Sequence, residues 1–159
     1  MQPTVARATP WKWGTLVLFL IFALGGGTLI GVNFMPGDWY AGLEKPWFNP
    51  PNWLFGPVWT ILYVMIAVAG WRTWRRGPAG LPMQLWFGQM AFNFMWTPAF
   101  FGLHLPGLAL LLLAVMLALI VLFIRLTWNP DRTSALLFLP YATWVSFAGL
   151  LNLAIWWLN

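Results

Sequence analysis

The stretch Leu105–Ile124 reads LPGLALLLLAVMLALIVLFI and contains no charged side chain. A bilayer core is about 30 Å thick, and a helix needs about 20 consecutive apolar residues to cross it. A helix that is apolar on every side has no face for water, so lipid or other helices must surround it. The stretch therefore predicts a transmembrane helix.

Four further uncharged, mostly apolar stretches flank this one, at residues 14–32, 54–71, 83–103 and 134–157. Only His104 separates the third of them from Leu105, which predicts a tight helical hairpin. Backbone polar groups in lipid must be satisfied internally, and the alternating pattern of a β-barrel is missing. We therefore predict an all-α integral membrane protein, a bundle of five transmembrane helices that forms one domain over residues 1–159.

The composition excludes most soluble functions. Of the 159 residues, 61% are hydrophobic and 7% are charged, whereas a soluble domain carries about 25% charged residues. Cysteine is absent, which excludes disulfides, thiolate catalysis and Cys-ligated metals. A single His provides neither a metal cluster nor a Ser-His-Asp triad. The net charge of +5 forms no basic stripe, so we expect no nucleic-acid partner.

The basic residues predict the orientation. With five spans, seven of the eight Lys and Arg residues fall on one side of the membrane, and only Lys45 falls on the other. The positive-inside rule then predicts a cytoplasmic N-terminus, an exoplasmic C-terminus and, for a bacterial protein, the inner membrane. The first span is longer than a signal-peptide core and no A-x-A cleavage site follows it, so we expect a retained helix.

Tryptophan is unusually frequent, with 14 residues. Most of them lie near span ends, where indole rings anchor helices at the headgroup level. Trp59, Trp96 and Trp144 lie deeper, where anchoring explains them less well. The predicted interfacial anchors are Trp11, Trp13, Trp53, Trp71, Trp74, Trp86, Trp128, Trp156 and Trp157.

Polar side chains within the spans have two interpretations. Gln89, Asn93 and Thr97 recur every four residues, so they share one helix face, which Trp96 and Phe100 flank. Such residues either hydrogen-bond between helices or line a cavity, and an aromatic cavity with few polar groups suits a flat, apolar ligand. No acid or base lies in the core of any span, which argues against a proton pump or an ion-coupled transporter. The residues expected in the exoplasmic half are Trp59, Tyr63, Trp96, Thr97 and Asn152, with Asn93 and Trp144 nearer the middle.

The loop at residues 33–53 is the only long connection, and it contains four prolines. Loops of this length in compact domains are usually functional. Its aromatic residues either rest on the membrane or fold over the mouth of the bundle as a lid. Just before it, Gly27 and Gly31 have the spacing of a close helix contact, within the protein or in a dimer.

Three groups of motifs resemble those of the TspO/MBR family, the tryptophan-rich sensory proteins that include the mitochondrial translocator protein. The first group is WYAGLEKP at residues 39–46 followed by NPPNWLFGPVWTILY at 49–63. The second is QMAFNFMWTPAFFG at 89–102, and the third is LPYATWVSFAGLLN at 139–152. These motifs recur in order and cover the chain from Trp39 to its C-terminus.

The resemblance implies a homodimer of five-helix bundles whose pocket is closed by the first loop. It implies porphyrin or haem as the ligand rather than as an obligatory cofactor, with links to tetrapyrrole transport and stress signalling. The C-terminal LAIWWLN lacks the Tyr and basic residue of the animal cholesterol-recognition segment, so sterol binding is not implied. The pocket residues carried over by motif position are Tyr40, Pro50, Trp59, Tyr63, Asn93, Thr97, Phe100, Trp144 and Ala148, and depth adds Trp96.

Three classes of function remain open at this point. The leading one is a membrane receptor or transporter-like protein that binds tetrapyrroles in an aromatic pocket. The second is an enzyme that degrades bound porphyrin under light, in which Trp59 and Trp144 are the candidate catalytic residues. The third is a structural or partner-binding membrane protein in which the aromatic residues form only a packed core. We expect a binding protein rather than an enzyme, and no metal site.

Overall fold

The structure, a computed structural model, describes residues 11–159, and this part of the chain is entirely helical and irregular, without strands. A π-helical segment, Ile21–Gly25, joins the first two helices, and another, Pro98–Gly102, follows the fifth. The α-helices are α1 (Trp11–Leu20), α2 (Gly26–Asn33), α3 (Asp38–Gly42), α4 (Phe55–Arg76), α5 (Leu81–Thr97), α6 (Pro106–Thr127) and α7 (Arg132–Leu158).

Five long rods make up the bundle, which confirms the predicted fold. The first is α1, the π-helical segment and α2 in one continuous run, and the third is α5 extended to Gly102. Apart from the third, each rod is long and apolar enough to cross a membrane. The second rod continues past the predicted end at residue 71 to Arg76, because long basic side chains keep their stems along the apolar surface while their charges reach water.

The rods pack mainly with neighbours in sequence. α5 lies along α6, α6 along α7, α4 along α7, and α1 along α4. The upper half of the first rod, α2, packs against α5 instead. The hairpin between α5 and α6 turns at His104, whose φ of 58° is in the left-handed region. This arrangement leaves space between α2, α4, α5 and α7 in the half of the bundle that faces the long loop.

Trp86 lies in the centre of the core and not at an interface, so its predicted role as an anchor is wrong. The residue is fully buried, and its Nε1 donates a hydrogen bond of 2.9 Å to the carbonyl oxygen of Ile66. Gly70 provides the space for the Trp86 side chain, because a Cβ at residue 70 would collide with the indole ring. The absence of a side chain at Gly70 and the carbonyl oxygen of Ile66 together allow Trp86 to be buried, although hydropathy predicts it at the membrane surface.

At the opposite end of the bundle from the long loop, Asp131 links α4 to α7. Its carboxylate accepts from Arg72 Nη2 at 2.7 Å and Nε at 3.2 Å, and Arg76 Nε lies 3.3 Å away. The carboxylate also accepts from the hydroxyl of Ser134 at 2.7 Å and caps α7. Burial alone would raise the pKa of Asp131, but the hydrogen bonds and the two Arg charges outweigh it and hold the pKa below its usual value.

We expect this cluster to make stability depend on pH. A carboxyl group whose pKa is lowered by folding stabilises the folded state above its unfolded pKa of about 3.9, and this stabilisation is lost as the pH falls through the folded pKa. The unfolding temperature of the purified protein should therefore decrease on acidification below about pH 4. Asp131→Asn should lose about 1–2 kcal/mol at neutral pH and show a weaker acid dependence.

The matched control is Asp38→Asn, in the loop at the other end, where the carboxylate is exposed. Thermal unfolding of the three proteins between pH 3 and pH 7 checks the prediction. An acid profile of Asp131→Asn that matches the wild-type profile contradicts it.

Candidate functional site

A cavity of about 410 Å³ lies in the upper half of the bundle, between α2, α4, α5 and α7 and beneath the long loop. Its volume is in the range of sites that hold drug-sized molecules. The wall is mostly apolar, and among residues 11–159 the lining contains no charged side chain. The cavity therefore suits a ligand whose buried part is uncharged.

Most of the residues predicted from the sequence contribute to this wall. Their roles in binding a ligand stay predictions, since geometry gives only their positions. Pro50 and Trp144 do not line the cavity. The eight that do are Tyr40, Trp59, Tyr63, Asn93, Trp96, Thr97, Phe100 and Ala148.

Trp144 lies behind the wall. Its ring packs against Phe55, which lines the cavity, at 5.8 Å between centroids, and against Phe147 at 5.5 Å. It also borders a shallow apolar groove between α4 and α7. Its Nε1 is buried and has no hydrogen-bond partner within the described part of the chain. Trp144 therefore supports the cavity wall from outside and presents no surface to it.

Two pairs of aromatic rings form the flat surfaces of the wall. On α4, Trp59 lies 5.5 Å from Tyr63 with an angle of 31° between the planes. On α5 and the turn after it, Trp96 stacks on Phe100 at 5.6 Å and 25°. The indole of Trp96 is fixed by a hydrogen bond of 3.2 Å from Nε1 to Asn152 Oδ1. Flat, rigidly held rings are suited to a planar guest.

A chain of hydrogen bonds connects the cavity to the core. Tyr63 donates to Asn93 Oδ1 at 2.7 Å, and Asn93 Nδ2 donates to the Tyr141 oxygen at 2.9 Å. Tyr141 donates to Gln89 Oε1 at 2.8 Å, and Gln89 Nε2 donates to the carbonyl oxygen of Trp86 at 2.9 Å. Gln89 therefore joins helices without lining the cavity, whereas Asn93 joins helices and also lies in the cavity wall.

The long loop closes the end of the cavity. Tyr40, on α3, is buried against Phe100 and Phe101, with centroids 6.2 Å and 5.3 Å away. Burial raises the pKa of Tyr40, although its hydrogen bond to Asn49 acts in the opposite direction, so the phenol stays neutral. In contrast, Trp47 is 95% exposed and points outward. The loop therefore covers the cavity through Tyr40, while membrane contact by the exposed Trp47 stays a prediction.

Two tethers hold the loop in this position. Trp39 stacks on His104 in the α5–α6 turn, with centroids 4.2 Å apart and an angle of 17°. Asn159 forms a pair of hydrogen bonds with the backbone of Glu44, accepting from its N–H at 2.9 Å and donating to its carbonyl at 3.0 Å. The side chain that follows α7 therefore fixes the middle of the loop.

We expect Asn159→Ala to release the loop without unfolding the bundle. Loss of one protecting hydrogen bond, about 1 kcal/mol, should increase the hydrogen-exchange rate of the Glu44 amide about fivefold. Mass-spectrometric exchange of peptides covering residues 38–48 measures this. The control is Asn129→Ala, in the turn at the other end of the bundle, and equal exchange in both variants contradicts the tether.

The first rod contributes a part of the wall that the sequence pattern did not predict. Here the absence of side chains shapes the site, since Gly27 packs beneath the ring of Tyr63 and Gly26 beneath that of Phe94. Gly27 thus makes a helix contact within the protein. A Cβ at Gly31 would meet no heavy atom within 4 Å, so this residue leaves the cavity open. In the sequence, the run of three glycines at residues 25–27 was the feature that could have indicated this part of the wall.

The cavity is not sealed on every side. The rim residues on α2 and at the start of α4 are exposed, and α2 packs more extensively on α5 than on α4. The cavity therefore opens sideways, toward the region that lipid occupies around a membrane protein. The exposed rim consists of Thr28, Gly31, Val32, Gly56 and Thr60.

Comparison with known proteins gives a consistent result. The model of the TspO/MBR family matches residues 15–158. Protein CrtK of Rhodobacter capsulatus is 40% identical over 147 residues, which cover 90% of this chain and 91% of that protein. The tryptophan-rich protein TspO of Archaeoglobus fulgidus is 42% identical over 123 residues, 76% of this chain and 80% of its own length. The human translocator protein is 33% identical over 138 residues, 82% of each chain.

Proposed function

Since this chain belongs to the TspO/MBR family, we propose that its membrane receptor or transporter-like role consists of binding a porphyrin or haem in the aromatic cavity. The protein is an integral, multi-pass membrane protein. Its similarity to proteins named translocator and sensory protein supports a receptor or transporter-like role.

The observation that supports a tetrapyrrole is the pair of flat aromatic surfaces around an uncharged cavity. A conjugated macrocycle is planar and apolar, and its burial contributes roughly 25 cal/mol per Å² of apolar surface before ordering costs are subtracted. No charge among the described lining residues neutralises carboxylates. The macrocycle would therefore enter the cavity while its carboxylates stay at the exposed rim, near Thr28 and Thr60.

Trp59→Ala tests this proposal. Loss of the largest ring on the α4 wall should weaken protoporphyrin IX binding at least tenfold, which corresponds to about 1.4 kcal/mol. Quenching of tryptophan fluorescence measures the affinity of the purified protein. The sequence alone predicts a similar effect for Trp144→Ala, but this ring lies outside the cavity, so a smaller loss is expected.

The control for this experiment is Trp53→Ala, whose ring is 71% exposed. Its titration should match that of the wild type. A folded Trp59→Ala variant with unchanged affinity would exclude the α4 wall as the binding surface.

A second candidate is light-dependent porphyrin degradation, which the position of Trp59 favours. Its ring lies in the cavity wall beside that of Tyr63 and also contacts Tyr141, which is buried behind the wall, so three oxidisable rings lie close to a bound macrocycle. Trp144, the other candidate from the sequence, does not reach the cavity. Illumination of the porphyrin complex separates the two functions, because degradation gives a product with a shifted absorption spectrum whose formation depends on Trp59.

We also propose a homodimer, on family resemblance, and a cytoplasmic N-terminus in a bacterial inner membrane. The charges support this orientation. The arginines of the described part, from Arg72 to Arg132, lie at one end of the bundle, and Lys45 lies at the other.

A further inference from the structure

The hydrogen-bond chain between the cavity and the core has a fixed direction. It ends at the carbonyl oxygen of Trp86, and a backbone carbonyl can only accept. Gln89 must therefore turn its NH₂ group toward Trp86, at 2.9 Å, and its oxygen toward Tyr141. A flipped Gln89 would place two acceptors against each other in a fully buried position.

This constraint passes from one residue to the next. Because Tyr141 faces the Gln89 oxygen at 2.8 Å, its hydroxyl hydrogen is used there, with the Met116 sulfur at 3.3 Å as the alternative acceptor. The Tyr141 oxygen must then accept from Asn93 Nδ2 at 2.9 Å, which turns Asn93 Oδ1 toward Tyr63. Tyr63 consequently donates its own hydrogen to Asn93, at 2.7 Å.

The result at the cavity wall is a hydroxyl group that cannot donate to a ligand. A phenol has one hydrogen, and that of Tyr63 is already used, so its oxygen can only accept. Two other polar groups of the wall are also engaged, since Trp96 donates to Asn152 and Tyr40 donates to Asn49. The hydroxyls of Thr28 and Thr97 rotate and can donate or accept, so they favour neither class of ligand.

We propose that the Tyr63 oxygen recognises an N–H or O–H group of the ligand, and that the Trp86 carbonyl sets this preference through Gln89, Tyr141 and Asn93. The inference rests on the proposed function, because it requires a flat ligand in this cavity. It adds a preference at Tyr63: a ligand edge that donates a hydrogen bond is favoured over one that accepts, whereas the C–H edge of a macrocycle does neither. A flat molecule that presents only acceptors there is disfavoured, since its lone pairs face those of the phenol.

Three flat probes of nearly equal shape test this. Carbazole carries an N–H donor, dibenzofuran carries an acceptor oxygen at the same position, and fluorene carries neither. Affinities are measured by tryptophan-fluorescence quenching on the full chain in lipid nanodiscs. We expect carbazole to bind about three- to tenfold more tightly than dibenzofuran, the range of one net hydrogen bond.

Two variants separate the hydrogen bond from differences in lipid partitioning. Tyr63→Phe keeps the aromatic wall and removes the oxygen, so the carbazole-to-dibenzofuran ratio should fall several-fold. Asn93→Leu frees the Tyr63 hydrogen, so dibenzofuran should gain affinity relative to fluorene. Ser146→Ala, on the exposed face of α7, is the control and should keep the wild-type ratio.

The outcomes distinguish this inference from the proposed function. A wild-type ratio that persists in Tyr63→Phe overturns the inference, even if Asn93→Leu fails to fold, and it leaves intact the tetrapyrrole proposal, which the protoporphyrin IX titration tests separately. If none of the three probes binds while protoporphyrin IX does, the inference also falls. If protoporphyrin IX does not bind either, both fall.

Discussion

Gly31→Trp is expected to abolish most protoporphyrin IX binding while the bundle stays folded. Gly31 lines the cavity, and a Cβ built there meets no heavy atom within 4 Å. A Cβ at this position is therefore tolerated, and replacing Gly in a helix removes a conformational cost of about 0.5–1 kcal/mol. We expect the indole to occupy the cavity in place of the ligand, so affinity should fall by well over tenfold.

The matched control is Gly149→Trp. Gly149 lies on α7, also with open space at its Cβ position, but it does not line the cavity. Both variants add the same side chain to a helix, so only the position differs. Fluorescence titrations and thermal unfolding of the two variants check the prediction. Equal affinities for protoporphyrin IX would place the binding site elsewhere.

Trp86→Ala is expected to cause the largest loss of stability, about 3–5 kcal/mol. The substitution leaves a cavity of indole size in the centre of the core and removes the hydrogen bond to the Ile66 carbonyl. Lipid cannot fill a space enclosed by protein, so the surrounding contacts are lost. Unfolding in mixed micelles with increasing denaturing detergent measures the change.

Trp157→Ala is the appropriate control, since this ring is 87% exposed. Its effect on unfolding should be below about 0.5 kcal/mol. Trp86→Phe should lie between the two, because it keeps most of the packing and loses the N–H donor. Equal stabilities of Trp86→Ala and Trp157→Ala would contradict the central position of Trp86.

The five rods could be predicted because each is a long uncharged stretch, and hydropathy measures the property that a bilayer selects. The predicted ends of the rods were less accurate. The second span was predicted to end at residue 71, but α4 extends to Arg76. Basic side chains there stay helical while their charges reach water, so the helix does not end where the apolar stretch ends.

The direction in which a tryptophan faces could not be predicted. In a soluble protein the apolar face of a helix is the buried side and the polar face is the exposed one. In lipid both faces are apolar, so this distinction is lost. Hydropathy therefore places Trp86 at the interface, and the family resemblance places Trp144 in the pocket, whereas Trp86 is in the core and Trp144 is behind the wall. What decides the position of Trp86 is Gly70 on another helix, a contact that no local pattern records.

The α4 and α5 walls could be predicted because aromatic and polar residues there recur at helical spacing. The α2 wall could not be predicted for the opposite reason, since its contribution is the absence of side chains at Gly27 and Gly31.

The gap between α2 and the start of α4 has a consequence for how the proposed ligand would reach the cavity. An apolar molecule dissolves in acyl chains far more readily than in water, so we expect the bilayer to serve as the reservoir from which the cavity is filled. Occupancy then depends on moles of guest per mole of phospholipid. Titrations at different lipid-to-protein ratios should agree only when plotted on that scale.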